Sequence, residues 1–268
     1  MRQGARTFIR MAAVPLWLAL AGCAAVGGPS AEAPYIRPDS VDMLRLLPPP
    51  PIGEAALADD LAAVRAMQRS RTAERFAQAR EDATVSIFRF ADVLGSGFNA
   101  DAVPVTTEFF GKVNRELGRY IGETKNCWRR PRPYEIDPQI QPPEDLLNST
   151  GARRGPPRAQ AMPAGAPCDA AQYEVDSYSF SYPSGHTAFG TLTAILLAQM
   201  VPEKHIELFE RGREYGDSRL VGGVHFPSDI EAGRILATTV AALMMLDERF
   251  RADLDAARRE LRAALGLP

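Results

Sequence analysis

From Glu54 to the C-terminus, apolar residues recur at three- and four-residue spacing, and nowhere do they alternate with polar ones over the length of a strand. That period places them on one face of a helix. Glu54 to Met67 and Thr72 to Thr84 are rich in Ala, Arg, Glu and Gln, which lose little freedom in a helix. After Pro104 the stripe is clearest: Val105, Phe109, Val113, Leu117 and Ile121 recur every fourth residue, widened by Phe110 and Tyr120. Further helices are predicted at Ser184 to Met200, Pro202 to Tyr215, Pro227 to Leu246 and Glu248 to Leu265. Hairpin turn signals and internal repeats are missing, so the predicted fold class is all-α, a single-domain helical bundle.

Two stretches break the pattern. Residues 23–53 form a leader that runs through Leu44 to Leu47 into Pro48-Pro49-Pro50-Pro51. Four consecutive prolines donate no backbone hydrogen bond and favour an extended chain, so this is read as a strap laid over the helical body, residues 54–268. Within that body, residues 134–172 mix seven prolines with Gly and Arg and are read as a long loop or partly ordered insertion.

The first residues read as a targeting segment. Arg2, Arg6 and Arg10 precede the apolar run Met11 to Ala21, too short for the ~20 residues of a spanning helix but suited to a signal peptide. It ends in Leu20-Ala21-Gly22-Cys23, which resembles a bacterial lipobox. Cleavage of residues 1–22 would then leave Cys23 lipidated at the mature N-terminus. The alternative is an ordinary secretory signal cut a few residues later. No later segment reaches 18 consecutive apolar residues, so the expected membrane association is only through that lipid. The expected location is the periplasm, anchored to the outer membrane, or else soluble periplasmic or secreted.

At 46% apolar and 24% charged, the composition is that of an ordinary globular protein. The formal charge of −2 argues against a nucleic acid polymer as partner. Any phosphate chemistry must therefore come from a few local cations.

Three stretches can carry such chemistry. In Tyr182-Pro183-Ser184-Gly185-His186-Thr187, Ser184 can cap a helix whose free N–H groups, those of Ser184, Gly185 and His186, would face an anion. Gly185 would let the backbone approach a ligand, and His186 would stand at the rim. A capped helix with an incidental histidine is the alternative. In Ser218-Arg219-Leu220-Val221-Gly222-Gly223-Val224-His225-Phe226-Pro227-Ser228-Asp229, His225 and Asp229 are four apart, which on a helical turn sets a carboxylate beside an imidazole. A carboxylate on one ring nitrogen leaves the other free as nucleophile or base, and Arg219 offers a fork for phosphate. A structural His–Asp pair with a surface arginine is the alternative. The third stretch, Lys125-Asn126-Cys127-Trp128-Arg129-Arg130-Pro131-Arg132-Pro133, would by itself be a solvated basic run at a helix end. Together the three supply cations, helix donors and two differently placed histidines, the parts that phosphoryl transfer needs.

In this order the stretches match K-x6-R-P (Lys125, Arg132, Pro133), P-S-G-H (Pro183 to His186) and S-R-x3-G-x-H-x3-D (Ser218 to Asp229). The chain thus resembles the type 2 phosphatidic acid phosphatase superfamily. The strap and Arg211-Gly212-Arg213-Glu214-Tyr215-Gly216 look like the bacterial class A nonspecific acid phosphatases, over about Leu44 to Leu265. The resemblance implies the helical bundle shared by those enzymes and the vanadium-dependent haloperoxidases. It implies that His225 is the nucleophile, that Asp229 orients it, and that His186 is the acid for the leaving alcohol and then the base for water. Lys125, Arg132, Ser184, Gly185 and Arg219 would hold the phosphoryl oxygens. The expected activity is hydrolysis of small phosphate monoesters through a phosphohistidine. No residues with metal-ligand spacing stand out, so neither metal nor cofactor is expected.

Rival functions are a vanadate-dependent haloperoxidase, a phosphatase acting on lipid phosphates, and a lipoprotein that captures phosphate without turnover. Homo-oligomerisation stays open. Of three cysteines, the lipobox uses Cys23, leaving Cys127 and Cys168 as an expected disulfide, with two buried thiols as the alternative. His205, between Glu203 and Glu207, is expected at the surface.

Overall fold

The computed structural model describes residues 33–149 and 180–268, except 39 and 52. The signal segment, Cys23, Cys168 and the second half of the 134–172 stretch lie outside the described residues. The helices are α1 (Met43–Leu46), α2 (Glu54–Ser70), α3 (Ala73–Glu81), α4 (Ala91–Leu94), α5 (Pro104–Trp128), α6 (Pro133–Ile136), α7 (Glu144–Ser149), α8 (Gly185–Met200), α9 (His205–Val221), α10 (Pro227–Met244) and α11 (Glu248–Ala264). Among the described residues no strand occurs, and the fold is all-α.

α8 is apolar on nearly every side because it runs through the centre, packed by α9, α10, α11 and α5. Small residues allow the close approach. A Cβ on Gly212 would come within 2.6 Å of Ala194 Cβ, and one on Gly233 within 2.6 Å of the Ser184 carbonyl oxygen. These contacts lock together the three helices whose ends carry the P-S-G-H and S-R-x3-G-x-H-x3-D segments.

α5 buries Phe109, Phe110, Val113, Leu117 and Tyr120, as the stripe predicts. Its first member departs from expectation: Val105 is 45% exposed. The reason lies at the cap. Glu260 of α11 accepts hydrogen bonds from the amides of Val105 and Thr106, and Thr106 turns inward instead. At the other end Arg129 takes a left-handed conformation (φ 43°) that stops the helix.

α9 runs to Val221, beyond the expected end at Tyr215, because nothing breaks the chain before Gly222-Gly223, where Gly223 has φ +72°. Ser218 and Arg219 therefore sit in the last helical turn. The 134–172 stretch is ordered at its start: Ile140 and Leu146 are buried, and each meets the glycine pair.

The leader is tied down from Pro34 onward. Buried Glu116 of α5 accepts from the amides of Tyr35 and Ile36 at 2.9 and 2.7 Å. Met43 and Leu47 enter the core, and the Tyr182 hydroxyl donates to the Pro48 carbonyl. The polyproline strap is thus bonded to the residue just ahead of Pro183. Among the described residues no helix is long and apolar enough to cross a membrane.

Candidate active site

The ends of α5, α8, α9 and α10 meet at one place, and most of the singled-out side chains gather there. His225 and Asp229 are both buried, with His225 Nδ1 3.1 Å from Asp229 Oδ2. They do not share a helical turn. His225 precedes the N-cap of α10, and Asp229 folds back from the third position to accept from the Phe226 amide at 2.9 Å. The capping contact and the His contact use the same oxygen, so forming α10 presents the carboxylate to the ring.

A carboxylate can only accept, so Nδ1 carries hydrogen and Nε2 keeps its lone pair. Arg132 Nη1 lies 3.1 Å from Nε2, where it donates, and 2.7 Å from the Val224 carbonyl. Burial pushes the His225 pKa well below its ordinary value, and Arg132 adds to this against the pull of Asp229. His225 is held neutral.

Around it converge three buried cations. Lys125 Nζ donates to the carbonyls of Phe180 and Ser181. Burial lowers its pKa well below the usual ammonium range, and Arg132 and Arg219 lower it further. Burial and Arg132 push Arg219 down to about 10. Converging like charges in a dry site are costly, and a dianion among them would relieve all three.

His186 stands on the first turn of α8, with Nε2 3.0 Å from the Ala83 carbonyl. Burial depresses its pKa well below the ordinary value, and Arg219, His225 and Arg132 add to the effect. It therefore shares one electrostatic environment with the other expected site residues.

One expectation for the helix N-terminus needs correction. The Ser184 amide is not free: it donates to the Asp229 carbonyl at 3.0 Å, while its hydroxyl accepts from the Thr187 amide and hydroxyl. That bond joins α8 to α10, which is why the amide is consumed. Gly185 and His186 keep the first-turn amides that a helix cannot satisfy internally. A Cβ on Gly185 would meet Ile121 Cγ2 at 3.4 Å, an ordinary van der Waals contact with the protein itself. Exposed His205 lies apart, as expected. Cys127 is disulfide-bonded.

Four residues at the site, Arg130, Asp60, Ser181 and Ser228, have no role assigned from the sequence. Arg130 binds Asp229 Oδ1 at 2.6 Å and Asp60 of α2 at 2.7 Å. Ser181 donates to Asp229 Oδ2, and Ser228 to Asp60. Arg130 lies inside the basic run, but adjacent arginines give no hint of which one turns inward. Ser181 and Asp60 carry no local signal.

Comparison with known proteins finds bacterial acid phosphatases similar to most of the chain. The acid phosphatase of Zymomonas mobilis is 29% identical over 227 residues, covering 83% of this chain and 76% of its own. The non-specific acid phosphatase of Salmonella typhi is 31% identical over 235 residues, covering 85% and 84%. That of Providencia stuartii is 28% identical over 230 residues, covering 82% and 81%. Residues 113–252, which include every candidate catalytic and phosphate-holding side chain above, match the PAP2 superfamily. The helical bundle, the three motifs and the spanning relatives agree, and the chain belongs to the PAP2 superfamily.

Proposed function

We propose that this protein is a phosphatase that hydrolyses small phosphate monoesters through a covalent phosphohistidine, with positive charge supplied by side chains and not by a metal. The observation that carries the reading is neutral His225, braced through Nδ1 by Asp229 and offering Nε2 beside Arg132. That nitrogen is the nucleophile for an in-line attack on phosphorus once the phosphoryl oxygens draw Arg132 off its lone pair. As the Nε2–P bond forms, the P–O bond to the alcohol breaks, and the departing oxygen takes a proton from His186. In the second half-reaction His186 accepts a proton from water, hydroxide attacks phosphorus, and the Nε2–P electron pair returns to His225. Lys125, Arg132 and Arg219, with the Ser184 hydroxyl and the Gly185 and His186 amides, hold the phosphoryl oxygens, and Ser184 also caps α8.

The relatives named acid phosphatase or non-specific acid phosphatase support the same substrate class. Export by the N-terminal signal, with lipidation of Cys23, would place the enzyme in the periplasm on the outer membrane. The test is turnover of p-nitrophenyl phosphate with rapid alkaline quench of labelled enzyme. Label on His225, and no turnover by His225→Ala, is expected. Label on His186, or turnover surviving in His225→Ala, would overturn the assignment.

A further inference from the structure

We propose that Asp82 is a positioning residue for the acid: held by Arg211, it fixes the turn whose Ala83 carbonyl binds His186 Nε2, leaving Nδ1 to deliver the proton to the leaving alcohol. The inference rests on His186 being the acid.

Asp82 ends α3 and is fully buried, a costly place for a carboxylate unless every lone pair is used. Here they are used. Arg211 donates through Nη2 to Oδ1 at 2.5 Å and through Nη1 to Oδ2 at 3.1 Å. Ser218 donates to Oδ2 at 2.7 Å, and Arg89 Nε to Oδ1 at 3.3 Å. Arg211 is itself braced by Asp92 at 2.7 Å. Asp82 bonds to Arg211, Ser218 and Arg89 and not to His186 itself, so toward the acid the network acts through what it holds.

It holds the next two residues. The Ala83 carbonyl faces His186 Nε2 at 3.0 Å, and the Thr84 carbonyl accepts from the Tyr215 hydroxyl at 2.7 Å. The Tyr215 ring lies beside the His186 ring, 6.3 Å between centroids and 21° from parallel. A carbonyl only accepts, so Nε2 keeps its hydrogen and the titrating nitrogen is Nδ1. Ser218 immediately precedes Arg219, so the same carboxylate also steadies a phosphate-holding side chain. When the alcohol departs, the His186 Nδ1–H bond breaks as the alcohol O–H bond forms, and His186 is left neutral. A misplaced turn would misplace that proton, and small misplacements are costly in rate.

The test compares kcat/KM for an alkyl phosphate and for p-nitrophenyl phosphate, whose leaving group needs no protonation. The proteins are the full chain, Asp82→Asn, Tyr215→Phe and His186→Ala. Asp82→Asn should lose about 10–100-fold more on the alkyl ester than on the nitrophenyl ester, as expected for a partner that orients an imidazole. Tyr215→Phe keeps the ring, removes only the tether to Thr84, and should bias the loss the same way. It decides the matter by the same ratio if Asp82→Asn does not fold. Equal losses on both esters, with His186→Ala still selective for the nitrophenyl ester, would overturn the positioning role. Equal losses in His186→Ala would instead overturn the acid assignment, and this inference with it.

Discussion

Arg130 Nη1 lies 2.6 Å from Asp229 Oδ1, with both side chains buried. The Asp229 carboxylate thus divides its work: Oδ1 takes Arg130, and Oδ2 takes His225, Ser181 and the Phe226 amide. Burial alone would raise its pKa, but Arg130, His225 and Ser181 hold it below the ordinary carboxylate range. Arg130→Ala would leave that charge under-compensated. Breaking a buried pair from one side typically costs about 3–5 kcal/mol, so urea unfolding should show a loss of that size. Arg130→Lys should lose less. A change under about 1 kcal/mol for Arg130→Ala would mean that the pair carries little of the fold.

The contrast with Arg132 shows how far the sequence could be read. Helices that end in glycine or proline and carry an apolar stripe were legible because their signals are local. The clustering of His186, His225, Lys125, Arg132 and Arg219 was legible through motif order. Arg130 was not, since its partner Asp60 lies 70 residues away on α2. Nor was the role of the Ala83 carbonyl, because a backbone acceptor leaves no trace in residue identity. The capping of α5 by Glu260 is likewise a contact between distant elements, which is why Val105 was misplaced in the core.

The two site histidines should make stability depend on pH in a definite direction. Burial, helped by Arg219 at His186 and Arg132 at His225, depresses both below the ordinary 6.5. Between the folded values and 6.5 the unfolded chain binds more protons, so stability rises with pH through that window and is complete above it. It is lost as pH falls below about 6.5. For catalysis, His225 stays neutral well below that pH, which favours an acidic optimum. A bound dianion should raise His186 again, and NMR titration with and without vanadate should show that rise. A kcat still increasing above about pH 8 would contradict an acid that must be protonated.

Lys125, Arg132 and Arg219 place cationic charge where a metal would otherwise serve. Turnover should therefore survive exhaustive EDTA treatment, and vanadate, which mimics the five-coordinate phosphorus, should inhibit it. Loss on chelation, restored by Mg²⁺ or Zn²⁺, would refute this.

Two glycines of opposite setting test the packing. A Cβ on Gly233 would press the Ser184 carbonyl at 2.6 Å and Thr187 Cβ at 3.0 Å, prying α10 from α8 where the site is joined. Gly233→Ala should cost about 1–3 kcal/mol, as overpacking does, and should lower kcat. Gly118, exposed within α5, has nothing within 4 Å of an added Cβ. Gly118→Ala should be neutral or stabilising by up to about 1 kcal/mol. Equal effects on melting temperature would show that contact at the α8–α10 joint is not what limits Gly233.

The cysteines give the last test. Cys127 lies in the final turn of α5, two residues after Lys125, and is disulfide-bonded. Its expected partner, Cys168, lies outside the described residues, and Cys23 is expected to be consumed by lipidation. A Cys127–Cys168 bridge would close a loop of about 40 residues, for which chain entropy gives roughly 4 kcal/mol. It would also tether the 134–172 stretch beside the phosphate-holding lysine. Reduction, or Cys168→Ser, should lower stability by up to that amount and raise KM more than it changes kcat, since the chemistry stays in place while the mouth of the site loosens. Mass spectrometry of protein taken from membranes should find the Cys127–Cys168 peptide pair and a diacylglyceryl group on Cys23. A Cys23–Cys127 pair, or Cys168 alkylated without reductant, would refute the bridge. A mature N-terminus beyond Cys23 would refute the anchor.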